Sequence, residues 1–406
     1  MRGYVFLLTL LSLSLTATTA LHGQEGIVAI KAGKVLTLSG APVTNGVVLI
    51  ENGKIADIGT GIAIPEGASV IDASKSVVMP GLVDASAVPA VRGDLNEQSS
   101  EITPSFRMSS AIDPQSKVLK RAVQTGLTTL YISPGRRNLI GGLGVVVKPA
   151  GKTAAEMIIK DDAALAIAMG SSSTVGNRTP RYQPPTSFYY RRPTTRMAVA
   201  WMLRKSFFDA RQYAASHEKE DPDMEILSAA LKGEIPIRVT VRRAIDIRTA
   251  LRIADEYEFP LVMVGCVEGY KVAEEIAEKR APVVLGPFYY HARDRGRYYE
   301  GREVNWNNAG ILVKAGVKVA LASNAESQSD DLLTVATVAV RHGMPRDEAL
   351  KAITLTPAEI LGVADRVGSL EKGKDADILI LSGDPLVPTS RIERVLVNGK
   401  TVYQVD

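Results

Sequence analysis

Histidine and cysteine are scarce in this chain, which has four histidines and one cysteine in 406 residues. The single thiol, Cys266, excludes an intrachain disulfide framework and any metal site built on several cysteines. With no histidine near it in the sequence, it reads as a buried core thiol rather than a nucleophile. His22, His217, His291 and His342 lie far apart, and no two share an i, i+2 or i, i+4 spacing. That removes the usual local pairs of zinc-binding imidazoles, and each histidine reads instead as a surface or helix-end residue. Net charge is also low, at +4, which argues against nucleic acid or an anionic membrane surface as an obligate partner. Hydrophobic residues at 46% and charged residues at 23% are ordinary shares for a globular chain, long enough for one large core or two linked ones.

What is present begins with an apolar run. Arg2 precedes Tyr4-Val-Phe-Leu-Leu-Thr-Leu-Leu-Ser-Leu-Ser-Leu15, and small residues follow in Thr18-Thr-Ala20. Residues 1–23 therefore read as a secretory signal, too short for a stable membrane anchor, with a mature chain starting near Leu21 or Gln24. A membrane anchor or a buried strand is the weaker alternative, and the expected location is periplasmic or extracellular.

Short β-type runs broken by glycine fill residues 24–79, among them Lys34-Val-Leu-Thr-Leu38 and Gly46-Val-Val-Leu-Ile50. The same texture returns in residues 363–406, where Asn398-Gly399 marks a hairpin turn. One small β-sandwich assembled from both ends is expected. Between them, residues 80–362 alternate apolar strands with amphipathic helical segments. Strands are expected at Gly81-Leu-Val83, Leu127-Thr-Thr-Leu-Tyr-Ile132, Ala164-Leu-Ala-Ile-Ala168, Ile237-Arg-Val-Thr-Val241, Leu261-Val-Met-Val264, Val283-Val-Leu285 and Val317-Lys-Val-Ala-Leu-Ala322. This order predicts an α/β protein, a (β/α)8 TIM-like barrel, over an open doubly wound sheet. Gly141-Gly-Leu-Gly144 reads as a tight turn, not a phosphate cradle.

The frame resembles the amidohydrolase superfamily, most closely its imidazolonepropionase-like branch. The resemblance is carried by Gly81-Leu-Val-Asp-Ala85, Asp94-Leu-Asn-Glu97, Glu268-Gly-Tyr-Lys-Val-Ala273 and, most densely, Glu348-Ala-Leu-Lys-Ala-Ile-Thr-Leu-Thr-Pro-Ala-Glu-Ile-Leu-Gly362 with Gly368-Ser-Leu-Glu-Lys-Gly-Lys-Asp-Ala-Asp377. It implies a barrel with a flanking sandwich and metal-dependent hydrolysis of non-peptide C–N bonds, in which zinc or another divalent ion activates water and an aspartate takes the proton. The ligands that the resemblance implies are not in place. The first-strand pair of histidines is replaced by Ser86 and Val88, and a second pair by Thr240 and Arg242. Gly265 stands where a histidine is expected, and Asn324 where the final-strand aspartate is expected. Serine and threonine hydroxyls are weak zinc ligands, glycine offers none, and asparagine is no general base. A guanidinium about 4 Å from a dication, at an effective dielectric of ~20, opposes it by on the order of 8 kcal/mol.

The expectation is thus a catalytically degenerate member without a cofactor, serving as a binding or partner subunit. Its partner is expected to be an active homologue or a second copy of itself, and its ligand a small anion. Ser86, Thr240, Arg196, Arg242 and Asn324 are the candidate ligand-binding residues. The alternative is an active hydrolase with a rebuilt site, metal-free or ligated by carboxylates. Asp84, Asp94, Glu97 and Glu101 could supply the latter, although Asp94 and Glu97 could equally cap a loop or helix. Residues 176–196 and 288–299 are rich in arginine and tyrosine and follow barrel strands, so they are expected over the barrel mouth, as binding loops or as plain solvated ones.

Overall fold

The computed structural model describes residues 26–87, 95–97, 99–174, 192–216, 219–286, 304–323 and 331–405. The apolar run 1–23, Val88, Asp94, Asn324, His217, residues 176–191 and residues 288–299 lie outside the described residues.

Both ends of the chain build one seven-stranded mixed sheet. Four strands come from the N-terminal side: β1 (Ile27–Val35), β2 (Val43–Glu51), β3 (Lys54–Gly59) and β4 (Ser69–Pro80). Strands β13 (Ile378–Leu381), β14 (Ile392–Val397) and β15 (Lys400–Gln404) come from the C-terminal side, in the order β15-β14-β13-β4-β1-β2-β3. Residues from distant strands, Val48 and Ile50 on β2 and Ile378 and Leu396 on β13 and β14, share one core, so the sheet curls round its own apolar face. The edge strand β3 is tied back to the segment just before β13, where Ile55 N–H donates to Lys374 O and Ala376 N–H to Gly53 O. This is the sandwich-like unit expected from the two β-rich termini.

The middle of the chain forms an eight-stranded sheet rolled into a barrel. In order around it run β5 (Leu82–Asp84), β6 (Leu127–Ile132), β7 (Ile140–Val147), β8 (Ile158–Ala168), β9 (Ile237–Val241), β10 (Leu261–Gly265), β11 (Val283–Leu285) and β12 (Val319–Leu321). All pair in parallel except β7, which runs antiparallel to both neighbours. The segment 133–139 between β6 and β7 is too short for a crossover helix, and a parallel return needs a dozen residues or more. The expected turn at Gly141-Gly-Leu-Gly144 is therefore part of a strand. Its glycines permit close approach: a Cβ on Gly144 would lie 2.2 Å from the Tyr131 hydroxyl oxygen, and one on Gly142 2.4 Å from Phe106 O. Gly144→Ala is expected to cost about 1–3 kcal/mol by overpacking. The expected readout is a lower urea midpoint; an unchanged one contradicts the packing of Tyr131 on β7.

Side chains of Val83, Ala85, Tyr131, Val262, Val264, Val284, Ala320 and Ala322 fill the barrel's inner face, most of them small. A larger apolar cluster packs the helices on its outside. The helix Ala244–Tyr257 has its first N–H satisfied by Glu268, whose Oε2 accepts from Ala244 at 3.0 Å. Among the described residues no ladder joins the end strands β5 and β12. The turn before the helix Leu355–Leu361 fills that seam instead, Val83 N–H donating to Ile353 O (2.9 Å) and Leu321 N–H to Ala352 O (2.8 Å).

Candidate functional site

Barrels of this kind place functional groups at the C-terminal ends of their strands. At that end of β5, Asp84 is wholly buried. Its Oδ1 accepts the Ser86 N–H at 2.8 Å, an Asx turn that ends the strand. Its Oδ2 accepts from both the N–H (3.2 Å) and the hydroxyl of Ser323, just beyond β12. The carboxylate thereby clasps the first and last strands across the seam. Burial pushes its pKa up to about 6, against the opposing pull of the Ser323 and Ser86 hydrogen bonds and the field of Arg238.

Arg238 was not among the residues singled out by sequence. It sits on β9 and is 5% exposed. Residues 238, 240 and 242 share a parity, so Arg238 and Thr240 face the same side of the strand. Register puts Arg238 beside Ala166 on β8 and Val262 on β10, and Thr240 one layer nearer the mouth beside Ala168 and Val264. The guanidinium reaches across the barrel: Nη2 donates to Ala85 O on the far wall, and the group lies 4.2 Å from the centre of the Tyr131 ring. Among the described residues Nη1 has no partner, and neither does the buried Thr129 Oγ1. Burial lowers the Arg238 pKa, with Tyr131 and Asp84 opposing, yet a guanidinium stays protonated in proteins. A charged residue inside the otherwise apolar run Ile237-Arg-Val-Thr-Val241 was the available signal.

The expected site residues divide. Ser86 and Thr240 lie at the mouth, 9% and 8% exposed, and the Ser86 hydroxyl accepts from Arg136 Nη2 at 3.0 Å. Arg242 is half-buried just past β9, and its stem runs beside Gly265. Gly265 has φ +99°, and a Cβ there would lie 2.8 Å from Val241 O, so this backbone requires glycine. Arg196 stands elsewhere: at the start of the helix Arg196–Ser216 it grips Asp246 with two bonds of 2.8 and 2.9 Å, tying that helix to the helix Ala244–Tyr257. Of the acidic candidates, Glu97 accepts the Ser99 N–H (2.8 Å), and Glu101 is buried against Arg192 at 3.5 Å. Among the described residues no three His, Cys, Asp or Glu side chains group as metal ligands would. Cys266 is buried, and burial pushes its thiol pKa far up. His342 stacks on Trp306 at 5.0 Å at a helix end.

The model of the Amidohydrolase family matches residues 251–402. Amidohydrolase tasK of Hapsidospora irregularis is 26% identical over 408 residues, covering 88% of this chain but 40% of that protein. The imidazolonepropionase of Thermoplasma acidophilum is 36% identical over 74 residues, 18% of each chain. This chain therefore spans well under two thirds of the curated relatives it matches. Among solved structures, an amidohydrolase from Thermotoga maritima MSB8 superposes with a TM-score of 0.84 at 32% identity, over 93% of this chain and 100% of that one. Agreement along the whole of that protein, in sequence as well as in barrel and terminal sheet, means that this chain belongs to the amidohydrolase family.

Proposed function

We propose that this chain is an amidohydrolase-family barrel that has given up metal-assisted hydrolysis and serves, after export, as a binding or partner subunit. The observation that carries the reading is the Arg238 guanidinium inside the barrel, beneath Ser86 and Thr240 and bonded to Ala85 O. The donors around it do not suit a divalent ion. Two neutral hydroxyls and a glycine replace the imidazoles that the family resemblance implies, and a fixed cation repels a second one in a poorly solvated space. The backbone at Gly265 supports the same conclusion, since no side chain fits there without a shift of Val241 or of the strand end. Export rests on the apolar run after Arg2.

Turnover of amide, N-acyl amino acid and cyclic-urea substrates, with zinc or manganese in excess, is expected to stay at the rate of a heat-denatured control. Turnover that scales with protein concentration contradicts the proposal.

A further inference from the structure

We propose that the interior of the barrel mouth binds a short monocarboxylate through Arg238. The inference rests on the reading above, that no divalent ion occupies this position, and goes on to name what does.

Burying a guanidinium is costly unless its donors are satisfied, and native interiors rarely leave them unpaired. Arg238 gives one N–H to Ala85 O and its face to Tyr131, while Nη1 has no partner among the described residues. No direct ion pair meets its charge among the described residues; Tyr131 and Asp84 act on it only through the field. The Asp84 oxygens already accept from Ser86 and Ser323. A structural arginine would have its charge met by the protein, whereas this one leaves a charged donor unmet inside the barrel.

The wall above Arg238 is also not fully sealed. Ala166, on β8 beside Arg238, is partly accessible although it lies in the middle of the barrel wall. Thr240, Val262 and Val264, at 8%, 9% and 7% exposed, share that space. It is walled by alanine, valine and one threonine, with a guanidinium at its floor. A planar carboxylate matches the guanidinium fork, and its short alkyl body matches the apolar wall. Phosphate carries more charge and more acceptor oxygens than one guanidinium and one hydroxyl can satisfy.

The test titrates sodium propionate and propionamide separately into the full chain, followed by saturation-transfer NMR, and scores inorganic phosphate, which carries no observable protons, by its displacement of bound propionate. Propionate is expected to bind saturably at one site, with propionamide and phosphate weaker by about tenfold or more. Arg238→Met is expected to lose propionate by a similar factor. Ala166→Leu, which keeps the charge and fills the space, is expected to do the same and carries the test if the first variant does not fold. Absence of saturable propionate binding, a preference for phosphate, or binding unchanged in Ala166→Leu overturns the proposal. A parallel titration with zinc separates the two levels. Stoichiometric zinc overturns the underlying reading as well, whereas no zinc and no propionate overturns the carboxylate alone.

Discussion

Exchanging Lys148 for methionine is expected to lower stability by about 3–5 kcal/mol, because it strands buried carboxylates without their cation. Lys148 follows β7 and is 1% exposed. Its ammonium donates to Asp375 Oδ2 at 2.9 Å, Asp377 Oδ1 at 3.0 Å and Asn398 Oδ1 at 2.6 Å, joining the barrel to the terminal sheet. Burial raises the Asp377 pKa in spite of Lys148. Burial also acts to raise that of Asp375, but there Lys148, with Arg366, outweighs it and the net shift is downward. Lys54, 58% exposed and 3.4 Å from the same Asp375, provides the contrast. Lys54→Met is expected to cost under about 1 kcal/mol, as exposed pairs do. Urea midpoints at unchanged slope give both values. Equal losses from the two variants contradict the account of a buried junction.

The second large effect is a pH dependence at Asp84. Its pKa in the folded chain is about 6, against an ordinary 3.8, so the folded state holds this proton more tightly than the unfolded one does. The sign follows: the contribution to stability is fully present below the unfolded value and is lost as pH rises through the folded one. A rise of this size corresponds to about 3 kcal/mol, lost between about pH 4 and pH 6. Asp375 and Asp384 are shifted downward and act in the opposite direction. The measurable quantity is therefore the difference between the wild type and Asp84→Asn. That difference is expected to move against the wild type as pH rises across this window; a flat difference, or one of opposite sign, contradicts the burial of the clasp.

Much of the architecture was legible in the sequence because it rests on local periodicity. The seven parallel strands are short apolar runs bounded by turns, and the sheet strands at both ends carry glycine punctuation. β7 escaped because three glycines in a row of four weaken any strand signal, and the close approach of Tyr131 to Gly144 and of the Phe106 carbonyl to Gly142 has no local signature. Ser86, Thr240 and Gly265 were legible as residues of the strand ends at the barrel mouth, but the charge buried beneath them was not. The family resemblance pointed to Arg242, whereas the buried guanidinium belongs to Arg238, four residues earlier on the same face. The Asp84–Ser323 clasp spans 239 residues and has no local signature. Only closure of the barrel brings the two together.

We propose that a guanidinium, and not a divalent ion, holds the charge in the barrel mouth. The most direct measurement is the metal content of the full chain after incubation with excess zinc and removal of the unbound ion. Far less than one zinc per chain is predicted for the wild type. One zinc retained per chain, and released on replacing Asp84 or Glu97, would contradict the account.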